Sequence, residues 1–176
     1  GSDVLAGGCL ALDFTTRRFA FEKTASFVGG PEWTVLPLGH GAKRELFVLA
    51  SIAGLDPVPL MLDFGSSSAL MLSSAYIEAH SVLVGKTVST AALGGVEGVQ
   101  IVKAFVADTV SLGALSSALV PALALDRWTS VSTVGNVGMP LLGQFDIVLD
   151  VSQGQLWLRS APPRARLPML KRSEER

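Results

Sequence analysis

An all-β domain with a few short helices is the fold class this sequence predicts, and three observations carry it. Seven stretches are rich in β-branched or aromatic residues and bounded by glycines or prolines. Of the 176 residues, 49% are hydrophobic and only 16% charged, enough for one well-buried core and too few for two ordinary domains. Segments with helical character are all short.

Taken in order, the strand signals are Trp33 to Leu38, Glu45 to Ala53, Val58 to Asp63, Thr87 to Ala92, Val99 to Ala107, Phe145 to Val151 and Gln155 to Leu158. Between the fourth and fifth, Leu93-Gly94-Gly95-Val96-Glu97-Gly98 reads as a flexible hairpin tip. Helix is predicted over Ser73 to His80, over Leu115 to Leu123 with a break at Pro121, and for a turn or two from Pro140 to Gln144 after Gly138. Residues 161–176 combine three prolines with seven charges and no alternation, and read as an extended, solvated tail.

The formal net charge of -1 and scattered Lys and Arg argue against a nucleic-acid surface, where basic residues gather on one face. Cys9 is the only cysteine, which rules out an intrachain disulfide and a multi-cysteine metal site; inside an apolar run it reads as a small core residue. His40 and His80 have no carboxylates or thiols clustered near them in sequence, so no metal is implied. Ser66, Ser67 and Ser68 do not form Gly-x-Ser-x-Gly, and the glycine runs are too short and wrongly followed to cradle phosphate. No signal peptide and no apolar run long enough to span a membrane is visible.

One charge stands in an odd place. Asp63, in Leu60-Met61-Leu62-Asp63-Phe64-Gly65-Ser66, is set between two apolar runs, where an ionised carboxylate is costly unless partners compensate it. Two readings stay open on the local sequence: a turn aspartate bonded to the amides of Gly65 and Ser66, or a functional acid. A later segment, Val134-Gly135-Asn136-Val137-Gly138-Met139-Pro140-Leu141-Leu142, leads into Phe145-Asp146-Ile147-Val148-Leu149-Asp150. Asp-x-Gly-Ser after an apolar strand, the glycine hairpin at Gly94 and Gly95, and this late glycine-helix-strand segment together resemble the retropepsin-like aspartic proteases, particularly bacterial members, over about residues 45 to 158. Asp-Phe-Gly also occurs in protein kinases, but their lysine strand and His-Arg-Asp loop are missing.

The resemblance implies a half-barrel acid protease fold and an endopeptidase that needs no cofactor. Such enzymes hold a water between two carboxylates sharing one proton; placing like charges together pushes one pKa up and the other down, so identical side chains serve as acid and base. One Asp-x-Gly supplies one of them. Asp63 is therefore expected in a dyad with its mate from a second copy, in a homodimer or through pairing with an upstream copy of the domain. By the same resemblance Gly65 lets backbone approach the scissile bond, Ser66 bonds the outer oxygen of Asp63, and Gly138 lies beneath the catalytic loop. Gly94 and Gly95 form a flap over an extended peptide or protein substrate. Phe64 departs from the pattern: family members usually carry Thr or Ser there, whose hydroxyl links the two catalytic loops, and phenylalanine makes no such bond. A non-catalytic peptide-binding or assembly module is the alternative this permits, and self-processing of a parent protein is a third. The compartment stays open; the periplasm fits the resemblance.

The start of the chain also repeats its end. A shift of 137 residues lays Gly1 on Gly138, Leu5 on Leu142, Leu12 on Leu149 and Asp13 on Asp150, all identical, with the apolar pattern matching without a gap to Phe21 on Leu158. Residues 1–21 thus read as the closing segment of an upstream copy, 22–44 as a connection and 45–160 as the retropepsin-like domain. Alternatively Gly1-Ser2 is a tag scar and the first segment simply adds strands to this domain's sheet, within the chain or across a dimer.

Overall fold

Alternating burial builds most of this chain, as a period-two apolar pattern requires. The computed structural model describes residues 5, 7–23, 27–95 and 98–161. Among these the strands are β1 (Cys9–Asp13), β2 (Arg18–Glu22), β3 (Thr34–Pro37), β4 (Gly39–His40), β5 (Leu46–Ile52), β6 (Val58–Asp63) and β7 (Leu70–Ser73). Helix α1 (Ser74–Ala79) follows, capped by Ser73, whose hydroxyl accepts from the Tyr76 amide. Then come β8 (Ser89–Gly95), β9 (Gly98–Leu112), β10 (Leu115–Leu125), β11 (Gly135–Gly138), the single turn α2 (Met139–Leu142) with Pro140 in its first turn, β12 (Phe145–Asp150) and β13 (Gln155–Ser160).

Two sheets share one core. The larger runs β4-β5-β6-β11-β7-β10-β9-β8, and an extra pairing of β5 with β9 at Ser51–Ser111 and Ile52–Val110 curls it toward a barrel. The smaller runs β2-β1-β12-β13-β3. Leu60, Leu70 and Leu72 of the first sheet meet Ile147, Leu149, Leu156 and Leu158 of the second, with Leu141 and Leu142 of α2 between them in one cluster, all essentially inaccessible. Each such side chain contributes roughly 1.5–3 kcal/mol by leaving water.

The helix predicted over Leu115 to Leu123 is instead the strand β10, and this is a correction to the sequence reading. Leu and Ala there favour helix, and the burial alternation changes phase: Ser117 is buried, then Val120, Ala122 and Ala124. Leu119, with φ of 51°, turns the strand at that point, while β9 changes phase opposite it between Ala107 and Val110, so the pairing is kept. Pro121 sits one residue before β10 begins to pair with β7 at Ala122, so its missing N–H costs that ladder nothing.

Residues 1–21, as far as they are described, place the β1–β2 hairpin against β12. The stretch read as a connection supplies β3, β4 and a cover for the outer face of the small sheet. There Phe27 lies edge-on between Trp33 and Trp157, at 5.0 and 5.3 Å, and the Arg159 guanidinium stacks 4.6 Å over Trp33. Asp150, fully buried, ties this cover down by accepting from the Phe27 amide (3.0 Å), the Gln153 amide (3.0 Å) and Ser152 Oγ (2.6 Å). Burial alone would raise this carboxyl, but the Ser152 hydroxyl and these amides outweigh it and hold its pKa below the ordinary carboxylate value. A depressed folded pKa gives stability that is present above the unfolded pKa and lost as pH falls through the folded one. Asp150→Asn is therefore expected to cost about 1–2 kcal/mol at pH 7. In urea titrations the gap to wild type should narrow as pH falls from the ordinary carboxylate range through the depressed folded pKa of Asp150, where both side chains become neutral; a gap independent of pH would refute this.

Most of the tail read as solvated lies outside the described residues. Among the described residues no helix is long and apolar enough to cross a membrane.

Candidate active site

Closely packed backbone surrounds Asp63. Strand β11 threads between β6 and β7, parallel to the first and antiparallel to the second. Glycine permits this at both ends of β11: a Cβ on Gly135 would lie 2.1 Å from the Met71 carbonyl oxygen, and one on Gly138 would lie 2.1 Å from that of Ser68. Asp63 ends β6 directly beside Gly138, and the turn that follows is stapled to the start of α2. The Gly138 amide donates to Ala69 O (3.0 Å), and the Met139 amide to Ser66 O (3.1 Å).

Both oxygens of the Asp63 carboxylate are held. Oδ1 accepts from the Gly65 amide at 3.0 Å and Oδ2 from Asn136 Nδ2 at 2.9 Å. The first bond is the turn interaction expected from sequence. The second departs from expectation: Ser66, expected on the outer oxygen, instead exchanges bonds with Ser68, its Oγ donating to the Ser68 carbonyl (3.3 Å) and accepting from its amide (3.2 Å). Ser66 thus shapes the turn, and Asn136, only 2% exposed, takes the place beside the carboxylate. The signal for it was a lone amide side chain in the apolar run Val134 to Leu142. Its own Oδ1 is buried without a partner.

Phe64 is half-buried and packs on the main core, so its ring leaves the carboxylate's neighbourhood to backbone and Asn136. Gly94 pairs with Val99 and Gly95 with Gly98 at the end of the β8–β9 hairpin; residues 96 and 97 at its tip lie outside the described residues. A cleft of about 840 Å³ joins these parts, with Asp63, Gly65 and Ser66 on one wall and Gly94 and Gly98 on another. Its third wall, missed by sequence reasoning, is the stretch after β10 with Asp126 and Trp128. That stretch is fixed by Trp128 Nε1 donating to Thr133 O (2.7 Å), and by Ser74 Oγ donating to Asp126 (2.6 Å). Gly138 lies under the turn rather than on the cleft. Cys9 is remote from it in the β1–β12 pairing, and burial, with Asp150 and Glu22 nearby, pushes its thiol pKa up, the wrong direction for a nucleophile.

Chemically, the arrangement offers the Asp63 carboxylate, fixed by Gly65 and Asn136, on one wall of a cleft that Asp126, bonded to Ser74, and the end of a glycine-containing hairpin also line. One carboxylate supplies a base or an acid, not both at once.

No family model matches the chain, and no curated protein matches it. Among solved structures it is similar to a retropepsin-like aspartic protease from Rickettsia conorii, with a TM-score of 0.52 and 15% identity over 73% of this chain and 90% of that one. Basic 7S globulin from soybean is also similar, at a TM-score of 0.46 and 9% identity over 91% of this chain and 52% of that one. An identity of 15% speaks for architecture alone, and the chain has the all-β, retropepsin-like fold with a few short helices.

Proposed function

We propose that this chain is one half of an aspartic endopeptidase, in which Asp63 and a like carboxylate from a second copy of the fold activate a water. The observation that carries the reading is the fixed Asp63 carboxylate opening onto a cleft beneath the Gly94–Gly98 hairpin end. The unprotonated carboxylate takes a proton from water as its oxygen bonds to the scissile carbonyl carbon, while the protonated one donates to the carbonyl oxygen. The resulting gem-diol collapses as its proton returns to the base, the amide nitrogen gains a proton and the C–N bond breaks. The hairpin would cover an extended peptide held by backbone hydrogen bonds, with alternate side chains in apolar pockets.

A second reading, a peptide-binding module without turnover, draws on Phe64, which places no hydroxyl next to the site. Cleavage of a diverse peptide library across about pH 3 to 7, with oligomeric state recorded, separates the two. Turnover that disappears in Asp63→Asn supports the peptidase, whereas peptide binding without turnover, unchanged by the substitution, supports the module.

A further inference from the structure

The two hairpins that meet in the small sheet agree in register as well as in sequence. In β1–β2 the pairs include Cys9–Glu22, Leu10–Phe21 and Asp13–Arg18. Moved by the 137-residue shift they become Asp146–Arg159, Ile147–Leu158 and Asp150–Gln155, and each of these is a pair in β12–β13. The turns agree too. Asp13 Oδ1 accepts from the Thr16 amide at 2.8 Å as Asp150 Oδ1 does from Gln153 at 3.0 Å, and Arg17 (φ 58°) stands where Gly154 (φ 63°) stands.

Where the hairpins join, the pairing is reciprocal. Ala11 pairs with Val148, its own counterpart under the shift; Leu10 pairs with Leu149, the counterpart of Leu12, and Leu12 with Ile147, the counterpart of Leu10. A local two-fold axis therefore passes between Ala11 and Val148, giving inside one chain the self-complementary contact of a two-fold interface.

That symmetry is only half filled. Ile147, Leu149, Leu156 and Leu158 are 0% exposed beneath the core. Their counterparts Leu10 and Leu12, half-buried and packed in part on that core, and Phe19 and Phe21 beyond them form the continuation of the same face, since directly opposed residues point to one side of a sheet. Phe19 is 78% exposed where its counterpart Leu156 is 0%. β13 carries β3 on its outer edge, and β2 carries no strand there among the described residues.

We infer that a second copy of this fold seats on Leu10, Leu12, Phe19 and Phe21, that it is the segment of the same polypeptide upstream of β1, and that it brings the mate of Asp63. Chain order sets the direction: β1–β2 is the counterpart of the last two strands, so the rest of its copy precedes it. A symmetric homodimer through the free edge of β12 is closed off, because β1 of the same chain occupies that edge. The lobe rests on the sheet alone; only the second carboxylate rests on the peptidase reading. Its place is an Asp-x-Gly one shift, 137 residues, ahead of Asp63.

The test compares the polypeptide as its gene encodes it with the 176-residue chain by hydrogen–deuterium exchange. Amides of Arg18–Glu22 are expected to exchange about 100-fold or more slowly in the longer polypeptide, approaching those of β13. Phe19→Asp should undo that protection there while shifting the midpoint of the 176-residue chain by no more than about 1 °C, as for an exposed residue. A gene product with no upstream lobe, or β2 exchanging alike in both, overturns the inference. Peptide cleavage is scored separately: protection of β2 without turnover keeps the lobe and removes the peptidase. Turnover by the 176-residue chain alone keeps the peptidase and overturns the upstream lobe as the source of the second carboxylate.

Discussion

Replacing Asp63 by Asn is expected to lower kcat/KM of the assembled enzyme by at least about 10³-fold, the scale of lost general acid–base catalysis, while the protein stays folded. The fold survives for a local reason. The carbonyl oxygen of the substituted side chain can still accept from the Gly65 amide, which leaves its NH₂ facing Asn136. Two NH₂ groups would collide there, but Asn136 Oδ1 is buried without a partner, so a turn of that amide about its terminal bond presents an acceptor to the new donor. Loss of the charge thus removes the proton acceptor and keeps the contact to Asn136, exchanging only which end of that amide is buried without a partner. Peptide hydrolysis and a urea titration on the same preparation check both halves; turnover within about tenfold of wild type would sink the role of Asp63.

Gly138→Ala should destabilise the protein by about 3 kcal/mol or more, in the upper range for overpacking. Its Cβ would stand 2.1 Å from the Ser68 carbonyl oxygen and 2.8 Å from Ser66 Cβ, and the first of these is backbone that cannot swing aside. Moving the turn away breaks the bonds from Gly138 to Ala69 and from Met139 to Ser66, and drags the turn that carries Asp63. Any protein that still folds would then lose about 10²-fold in turnover from misplacement of the order of 1 Å. Gly94→Ala is the control: nothing lies within 4 Å of its Cβ position, so its urea midpoint should remain close to wild type. Equal midpoints for both variants would contradict the geometry.

What was legible in the sequence followed from short-range physics. Apolar stretches with β-branched or aromatic residues, bounded by glycines or prolines, marked β5, β6, β12 and β13, and the apolar run into Asp63 with its Asx-type turn announced the bond from Gly65. What was not legible required a partner distant in the chain. Helical composition hid β10 because the strand's inward face shifts by one residue at Leu119, and only its pairing with β9 restores the pattern. Asn136 reaches Asp63 through a parallel pairing that no local window contains, and the wall formed by Asp126 and Trp128 depends on where β10 ends. The repeat was visible as apolar matches, but its meaning came from register, which a sequence does not display.

The threading of β11 between β6 and β7 also bears on the order of events in refolding. Asn136 and Asp63 are 73 residues apart in the chain, so the contact demands closure of a long loop before any pairing rewards it. The local hairpins β8–β9 and β9–β10 carry no such burden. Strands β8 to β10 are therefore expected to pair while Asp63 has only its local bond from Gly65, and the site to be completed when Asn136 arrives with the later closure. On the peptidase reading, a protein that cuts polypeptides is in that way kept harmless to its own unfinished copies.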